Sequence, residues 1–322
     1  MNRSRKDDII NDMLKWFCLL IVVVTGLTAC AHLQAQKKDA RFKPWTEVTG
    51  GETSAAYEEA VQVGKISEKS LSEISGLTAS RLARNLFWIH NDSGDKARIY
   101  AINATGKLLE KFDVEGAKNR DWEDIASGPG ADGKPALYIA DTGDNERTRT
   151  EYTVYRVREP LLGGNKKSTE PAEAFPFNYP DGKHDCEAIF VDPTNGQIYF
   201  VTKTLKEDCA LYRYPLPLRA NQTVTLEKVG GQKIKNVAQL RMVTGASLAP
   251  DGSRVVIRTY FGAFEWLRPK GKVLSAVFDS EPAVLKIPLM GQSEAIAYSA
   301  DSKSILLTSE KLPAPIYQLT RK

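Results

Sequence analysis

One short phrase recurs five times along the chain and restricts the folds open to it. A hydroxyl or Glu residue opens an apolar strand, a turn follows, a second apolar strand returns, and a third ends in aromatic and basic residues. The phrase starts at Ser75-Gly76-Leu77, Glu123-Asp124-Ile125, Glu187-Ala188-Ile189, Thr244-Gly245-Ala246 and Glu294-Ala295-Ile296. The second strands align as Leu86-Phe87-Trp88-Ile89, Leu137-Tyr138-Ile139-Ala140, Gln197-Ile198-Tyr199-Phe200-Val201, Arg254-Val255-Val256-Ile257 and Ser304-Ile305-Leu306-Leu307. Ser75 to Glu294 spans 219 residues over four intervals, about 55 each, the length of a four-stranded unit with its loops. Runs rich in Val, Ile, Tyr and Phe, broken by Gly, Asp-Gly, Asn-Gly and Pro, read as strands, and no long helical pattern is present.

Radial repetition of such units is a β-propeller, which leaves few sheet edges exposed. The sequence therefore predicts an all-β propeller of five four-stranded blades. Six remains open if a long interval, Glu123 to Glu187 or Glu187 to Thr244, hides a degenerate unit, and a β-sandwich ranks below both. The last blade lacks a fourth strand because the chain stops at Lys322. Ala60-Val61-Gln62-Val63-Gly64 is expected to supply it and close the ring.

The N-terminus reads as an address. Arg3, Arg5, Lys6 and Lys15 precede the apolar run Trp16 to Val24, too short for a comfortable membrane span, and Leu27-Thr28-Ala29-Cys30 follows. That tetrapeptide resembles a bacterial lipobox, which implies cleavage before Cys30 and acylation of its thiol; a simple secretory signal is the plainer alternative. By the same resemblance, Ala31 after the Cys favours the outer over the inner membrane. Residues 1–29 are then a signal, 30–45 a lipidated Cys with a polar tether, and 46–322 the propeller. Residues 1–45 carry eight basic and four acidic side chains of the chain's 44 and 40, leaving 36 of each sign in the remainder. A balanced domain is not a nucleic-acid surface built on net charge. Export leaves Cys186 and Cys209 together in an oxidising space, where a disulfide is the economical expectation.

In a propeller the first strand of each blade lines the channel. Ser75, Glu123, Glu187, Thr244 and Glu294 thus form a ring around it. At about 6 Å and an effective dielectric near 20, each carboxylate pair costs on the order of 3 kcal/mol. A proton, an inserted Lys or Arg, or a hard cation must compensate, unless the Glu side chains merely anchor strand starts. Three carboxylates and two hydroxyls form an all-oxygen set suited to Ca²⁺, and the ring has no His or thiolate to suggest Zn²⁺. The ends of the second strands form the mouth. Asp92 and Asp141 are candidate catalytic acids there, and His90, Lys203, Arg258 and Glu310 candidate ligand-binding residues; the plainer reading is a set of interblade salt bridges. Glu73, Asp121 and Asp185, two residues before ring positions, point the same way and suggest an outer acidic rim.

The order Ser, Glu, Glu, Thr, Glu, with Glu73-Ile74-Ser75 opening the first unit and Asp92-Ser93-Gly94 after its second strand, resembles the five-bladed calcium-activated nucleotidases (apyrases). The resemblance implies a channel Ca²⁺ held by the pentad and a phosphohydrolase activity. The nucleotidases' long insertions and tryptophan-rich loops have no counterpart here. The phrases His90-Asn91-Asp92-Ser93-Gly94-Asp95, Asp121-Trp122-Glu123-Asp124 and Asp141-Thr142-Gly143-Asp144-Asn145 resemble a broader set of secreted bacterial propeller lipoproteins of unsettled function. Three functions stay open: a Ca²⁺-binding, membrane-anchored monomer that takes a small anionic ligand or partner at its mouth, a Ca²⁺-dependent phosphohydrolase, and an envelope scaffold.

Overall fold

The structure is a computed structural model that describes residues 54–204, 209–229 and 242–322. The expected signal, Cys30 and the whole tether lie outside the described residues, as does the start of the expected domain.

The first strand, β1 (Val61–Ile66), stands apart from the five consecutive units that follow. Blade 1 is β2 (Ile74–Ala79), β3 (Leu86–Asn91), β4 (Arg98–Asn103) and β5 (Leu108–Asp113). Blade 2 is β6 (Trp122–Pro129), β7 (Pro135–Asp141), β8 (Tyr152–Arg158) and β9 (Glu173–Asn178). Blade 3 runs β10 (Asp185–Val191), β11 (Ile198–Lys203) and β12 (Leu211–Arg213); then comes β13 (Val224–Thr225), and β14 (Glu227–Lys228) completes the sheet. Blade 4 is β15 (Val243–Leu248), β16 (Arg254–Thr259), β17 (Ala263–Leu267) and β18 (Ala283–Leu285). Blade 5 is β19 (Ser293–Tyr298), β20 (Ser304–Ser309) and β21 (Ala314–Thr320), with β1 as its outer strand. The five inner strands adjoin in sequence order, and β19 returns to β2. Five blades, and not six, close the ring.

The strands read as continuous apolar runs because each sheet buries both faces. Alternate side chains of one strand enter different cores. In β3, Phe87 and Ile89 pack between blades 5 and 1, whereas Leu86 and Trp88 pack between blades 1 and 2. Five such cores lie between successive blades.

Closure follows the expected plan: β1 pairs antiparallel with β21, from Val61 opposite Gln318 to Ile66 opposite Ala314. Gly64 sits in a bulge of β1 where a Cβ would overlap the Thr105 backbone of blade 1. Tyr57, just upstream, donates to Glu265 of blade 4, which also accepts from Tyr298 of blade 5 at 2.7 Å. The segment before β1 thus ties blade 5 to blade 4, while β1 itself abuts blade 1.

Blade 2 differs from the four-stranded plan. Its β9 takes β13, from the connection inside blade 3, as a parallel fifth strand, so this connection clasps blades 2 and 3 at their outer edges. Blade 4 inserts a 3-10 turn, Leu274–Asp279, before its last strand; Phe278 packs on Trp266 at 5.2 Å.

The expected Cys186–Cys209 disulfide is not formed, and Cys186 is a free thiol. Cys186 belongs to the core between blades 2 and 3 and Cys209 to that between blades 3 and 4, so they leave opposite faces of one sheet. Cys209 also leads into β12, two strand spacings from the β10 that holds Cys186, roughly 10 Å and beyond the 4.4–6.8 Å of a bridged Cα pair. Burial pushes the Cys186 thiol up to about 12, which makes it inert.

Candidate functional site

Each inner strand breaks register with its neighbour near its start. The breaks fall at Ser75-Gly76, Glu123, Glu187, Thr244 and Glu294-Ala295, the five repeated positions. A β-bulge adds a residue to one strand and re-aims its side chain, a device common beside functional sites. Repeated five times at the top of the ring, it builds a cup of about 200 Å³ at the channel mouth.

Seven sequence-predicted residues meet in this cup: Ser75, Glu123, Glu187 and Glu294 of the ring, with Asp92, Lys203 and Glu310 from the mouth. Tyr260, Asn145 and Gln292 complete much of the polar lining. Asp121 and Asp185, expected on an outer rim, come in to the ring carboxylates. Asp92, Asp121 and Glu123 form one group and Glu123, Asp185 and Glu187 another, with the ligand oxygens of each group within 4.8 Å of one another. The spacing of two residues in Asp121-Trp122-Glu123 and Asp185-Cys186-Glu187 was the signal for these two acids; Asn145 stood only within the phrase from Asp141, and Tyr260 and Gln292 had none.

The loop after β7 presses this cluster together. Thr142 and Gly143 donate backbone N–H groups to the Asp121 carbonyl at 3.1 and 3.2 Å, and Asp144 N–H donates to Asp185 Oδ1 at 2.8 Å. A Cβ on Gly143 would overlap the Glu123 and Asp121 carboxylates. Such crowding shows in the acidities. Burial, and then Glu187, raises Glu123 well above its ordinary value. Burial and the neighbouring Asp92 carboxylate push Asp121 up to about 7, and burial raises Asp92 as well. Burial raises Glu294 to about 7. At the rim, burial and neighbouring Glu73 raise Glu310 to about 8.

Lys203 answers part of this charge. Its Nζ donates to Glu187 Oε1, with the two side chains 12% and 4% exposed, and lies 5.1 Å from the Tyr260 ring centroid. Burial pulls the ammonium down and Glu187 more than offsets it, so Lys203 stays charged.

Asp141, Thr244, His90 and Arg258, the remaining predicted residues, stand outside the cup. Asp141 is held by Arg149 in a buried ion pair of 2.9 Å and accepts the Asp121 N–H at 3.1 Å, so it braces the loop instead of facing the mouth. Thr244 Oγ1 donates to the Ser293 carbonyl at 2.7 Å, and Ser75 Oγ donates to that of Glu123. In these two blades a glycine follows the ring hydroxyl, and a base from the second strand crosses it toward the next blade. A Cβ on Gly76 would overlap His90 Nε2, and beside Gly245 the fully buried Arg258 Nη1 reaches the Ala295 carbonyl at 3.4 Å. Burial lowers His90 to about 4 and Arg258 to about 9, so His90 is a neutral packing residue and not a base at the mouth.

Below the cup, Asp124 accepts N–H groups from three blades: Ile125 at 2.8 Å, Ile189 at 2.9 Å and Ala246 at 3.2 Å. These inner-edge donors would otherwise be unsatisfied. Asp124 therefore staples three inner strands, a role not read from the sequence.

No protein-family model matches the chain, and no curated protein matches it in sequence. Among solved structures, the PQQ-bound form of an aldose sugar dehydrogenase from Streptomyces coelicolor is similar with a TM-score of 0.52 at 12% identity, over 82% of this chain and 98% of that one. A glucose dehydrogenase matches with a TM-score of 0.48 at 11% identity, over 82% and 100% of the two chains. At 12% identity, the likeness to the first is one of fold, the β-propeller.

Proposed function

We propose that this chain is an exported, lipid-anchored propeller whose mouth binds a divalent, oxygen-preferring cation, Ca²⁺, and beside it a small anionic ligand. One observation carries the reading: two three-carboxylate groups that share Glu123, each with its ligand oxygens within 4.8 Å. The donors are all oxygen, with no imidazole or thiolate among them, which suits Ca²⁺. Asp92, Asp121 and Glu123 would hold the ion, and the open side of the cup leaves room for water and a ligand oxygen. A bound divalent ion supplies positive charge that polarises an oxyanion; Lys203 supplies a second, fixed positive charge.

The fit excludes a larger occupant. A cup of about 200 Å³ falls below the roughly 300–1,000 Å³ of organic-ligand pockets, so a polycyclic group such as the PQQ of the aldose sugar dehydrogenase does not fit these residues. Anchoring rests on Leu27-Thr28-Ala29-Cys30 and its resemblance to a lipobox.

A second reading, a Ca²⁺-dependent phosphohydrolase, is favoured by Glu310. A carboxyl pushed up to about 8 at the mouth keeps its proton near neutrality and is suited to act as a general acid toward a leaving oxygen. Titration of the metal-stripped chain with calcium, followed by inorganic phosphate, tests the binding reading. Saturable calcium uptake that increases phosphate affinity supports it; calcium uptake without any phosphate binding removes the anionic ligand. Calcium-dependent turnover of phosphoesters, lost in Glu310→Gln, would favour the hydrolase.

A further inference from the structure

The carboxylates of the cup form two groups around a shared member. Asp92 and Asp121 flank Glu123 on one side, Asp185 and Glu187 on the other. A carboxylate shared between two such sets is the arrangement that holds a pair of adjacent cations. One of the two positions is already filled, by a side chain of the protein itself. Lys203 ends β11 directly opposite Asp185, and its Nζ donates to Glu187 while Tyr260 covers it, with the phenol oxygen at 3.4 Å. At the matching position of the other blades, opposite the residue two before the ring position, stand Asp92, Thr142, Tyr260 and Glu310. Blade 3 alone puts a base there.

We propose that the Lys203 ammonium occupies the second cation position, so that the cup takes one divalent cation, at Asp92, Asp121 and Glu123, and not two. This rests on the proposed function, which supplies the first cation. The lysine is the observation independent of the acids: a cation that donates to Glu187 of the second group, with its side chain 12% exposed. A tethered ammonium neutralises Glu187 without capture from solution and repels a second divalent ion. It also cannot acidify a water as a second metal would. The cup then presents an exchangeable divalent charge beside a permanent single one, a pairing for an oxyanion that spans both.

Calorimetric titration of the metal-stripped full chain with calcium chloride tests this by stoichiometry. The expected values are one ion per chain for the wild type and two for Lys203→Met. Equal, non-zero stoichiometry in the two proteins overturns the inference and leaves the cation reading standing; no uptake by either overturns both. Glu187→Gln gives a check that leaves Lys203 in place. It should still take up one ion per chain, though more weakly because a nearby negative charge is lost, since Asp92, Asp121 and Glu123 hold the ion; complete loss of uptake would place Glu187 among the ligands of the ion and overturn the inference.

Discussion

Glu294→Gln should stabilise the cation-free protein at pH 8 and leave it nearly unchanged at pH 5. Glu294 ordinarily titrates at 4.5 and is raised to about 7 in the fold, by burial first, with Lys203, Tyr260 and Arg258 opposing. Between those values the folded state holds a proton that the unfolded chain has released, so the stability of the wild type falls as pH rises through this window. At ~1.4 kcal/mol for each tenfold change in proton affinity, the span from 4.5 to about 7 is on the order of 3 kcal/mol. Glutamine mimics the protonated form at every pH. His90, lowered to about 4 by burial, has the opposite dependence below its ordinary 6.5, yet it is present in both proteins and cancels in the difference. Urea unfolding of the two proteins with chelator, at pH 5 and pH 8, measures the quantity. The free-energy gap between variant and wild type should grow by about 2.5 kcal/mol from the lower to the higher pH. A gap that stays constant or shrinks would refute the assignment of Glu294 as a strained, proton-holding carboxyl.

Other outcomes follow from the same geometry. Gly143→Ala should fold, since only carboxylate ends must move, but should lose more than tenfold in calcium affinity by titration calorimetry because the new methyl displaces Glu123 and Asp121. Asp124→Asn should cost about 1–3 kcal/mol in urea unfolding, because one oxygen of the staple becomes an amide donor facing the inner-strand N–H groups, and its calcium affinity should persist. Labelled palmitate should enter the wild-type protein in a bacterial host and not Cys30→Ser; a mature N-terminus beyond residue 30 would remove the anchor.

The repeat was legible because a sheet buried on both faces writes continuous apolar strands, and five copies made the phrase visible. Its first position was legible for the same reason: a polar residue opening a buried strand needs an explanation. The bulge that aims those residues was not, since an added residue in a register leaves no mark in a single strand. Asp141 and Arg258 had the right residue types at the mouth, but Arg149 and the crossing over Gly245 turn them away, and these partners lie on other strands or loops. Lys203 was placed at the mouth without its partner, because its pairing with Glu187 depends on the end of one strand meeting the bulge of the next. The Cys186–Cys209 bridge failed on which face each side chain leaves, which cysteine counting does not contain.

The most direct test of the cation site is a set of melting curves of metal-stripped wild type and Glu123→Gln, with calcium and with chelator. Glu123 belongs to both carboxylate groups, so its substitution removes a ligand wherever the ion sits. At a calcium concentration a hundred times the dissociation constant, linkage stabilises the wild type by about 2.7 kcal/mol, which raises its melting temperature by roughly 5–11 °C. Glu123→Gln should melt cooperatively and respond weakly or not at all. A wild-type melting temperature unchanged from micromolar to millimolar calcium, or an equal rise in both proteins, would contradict the site.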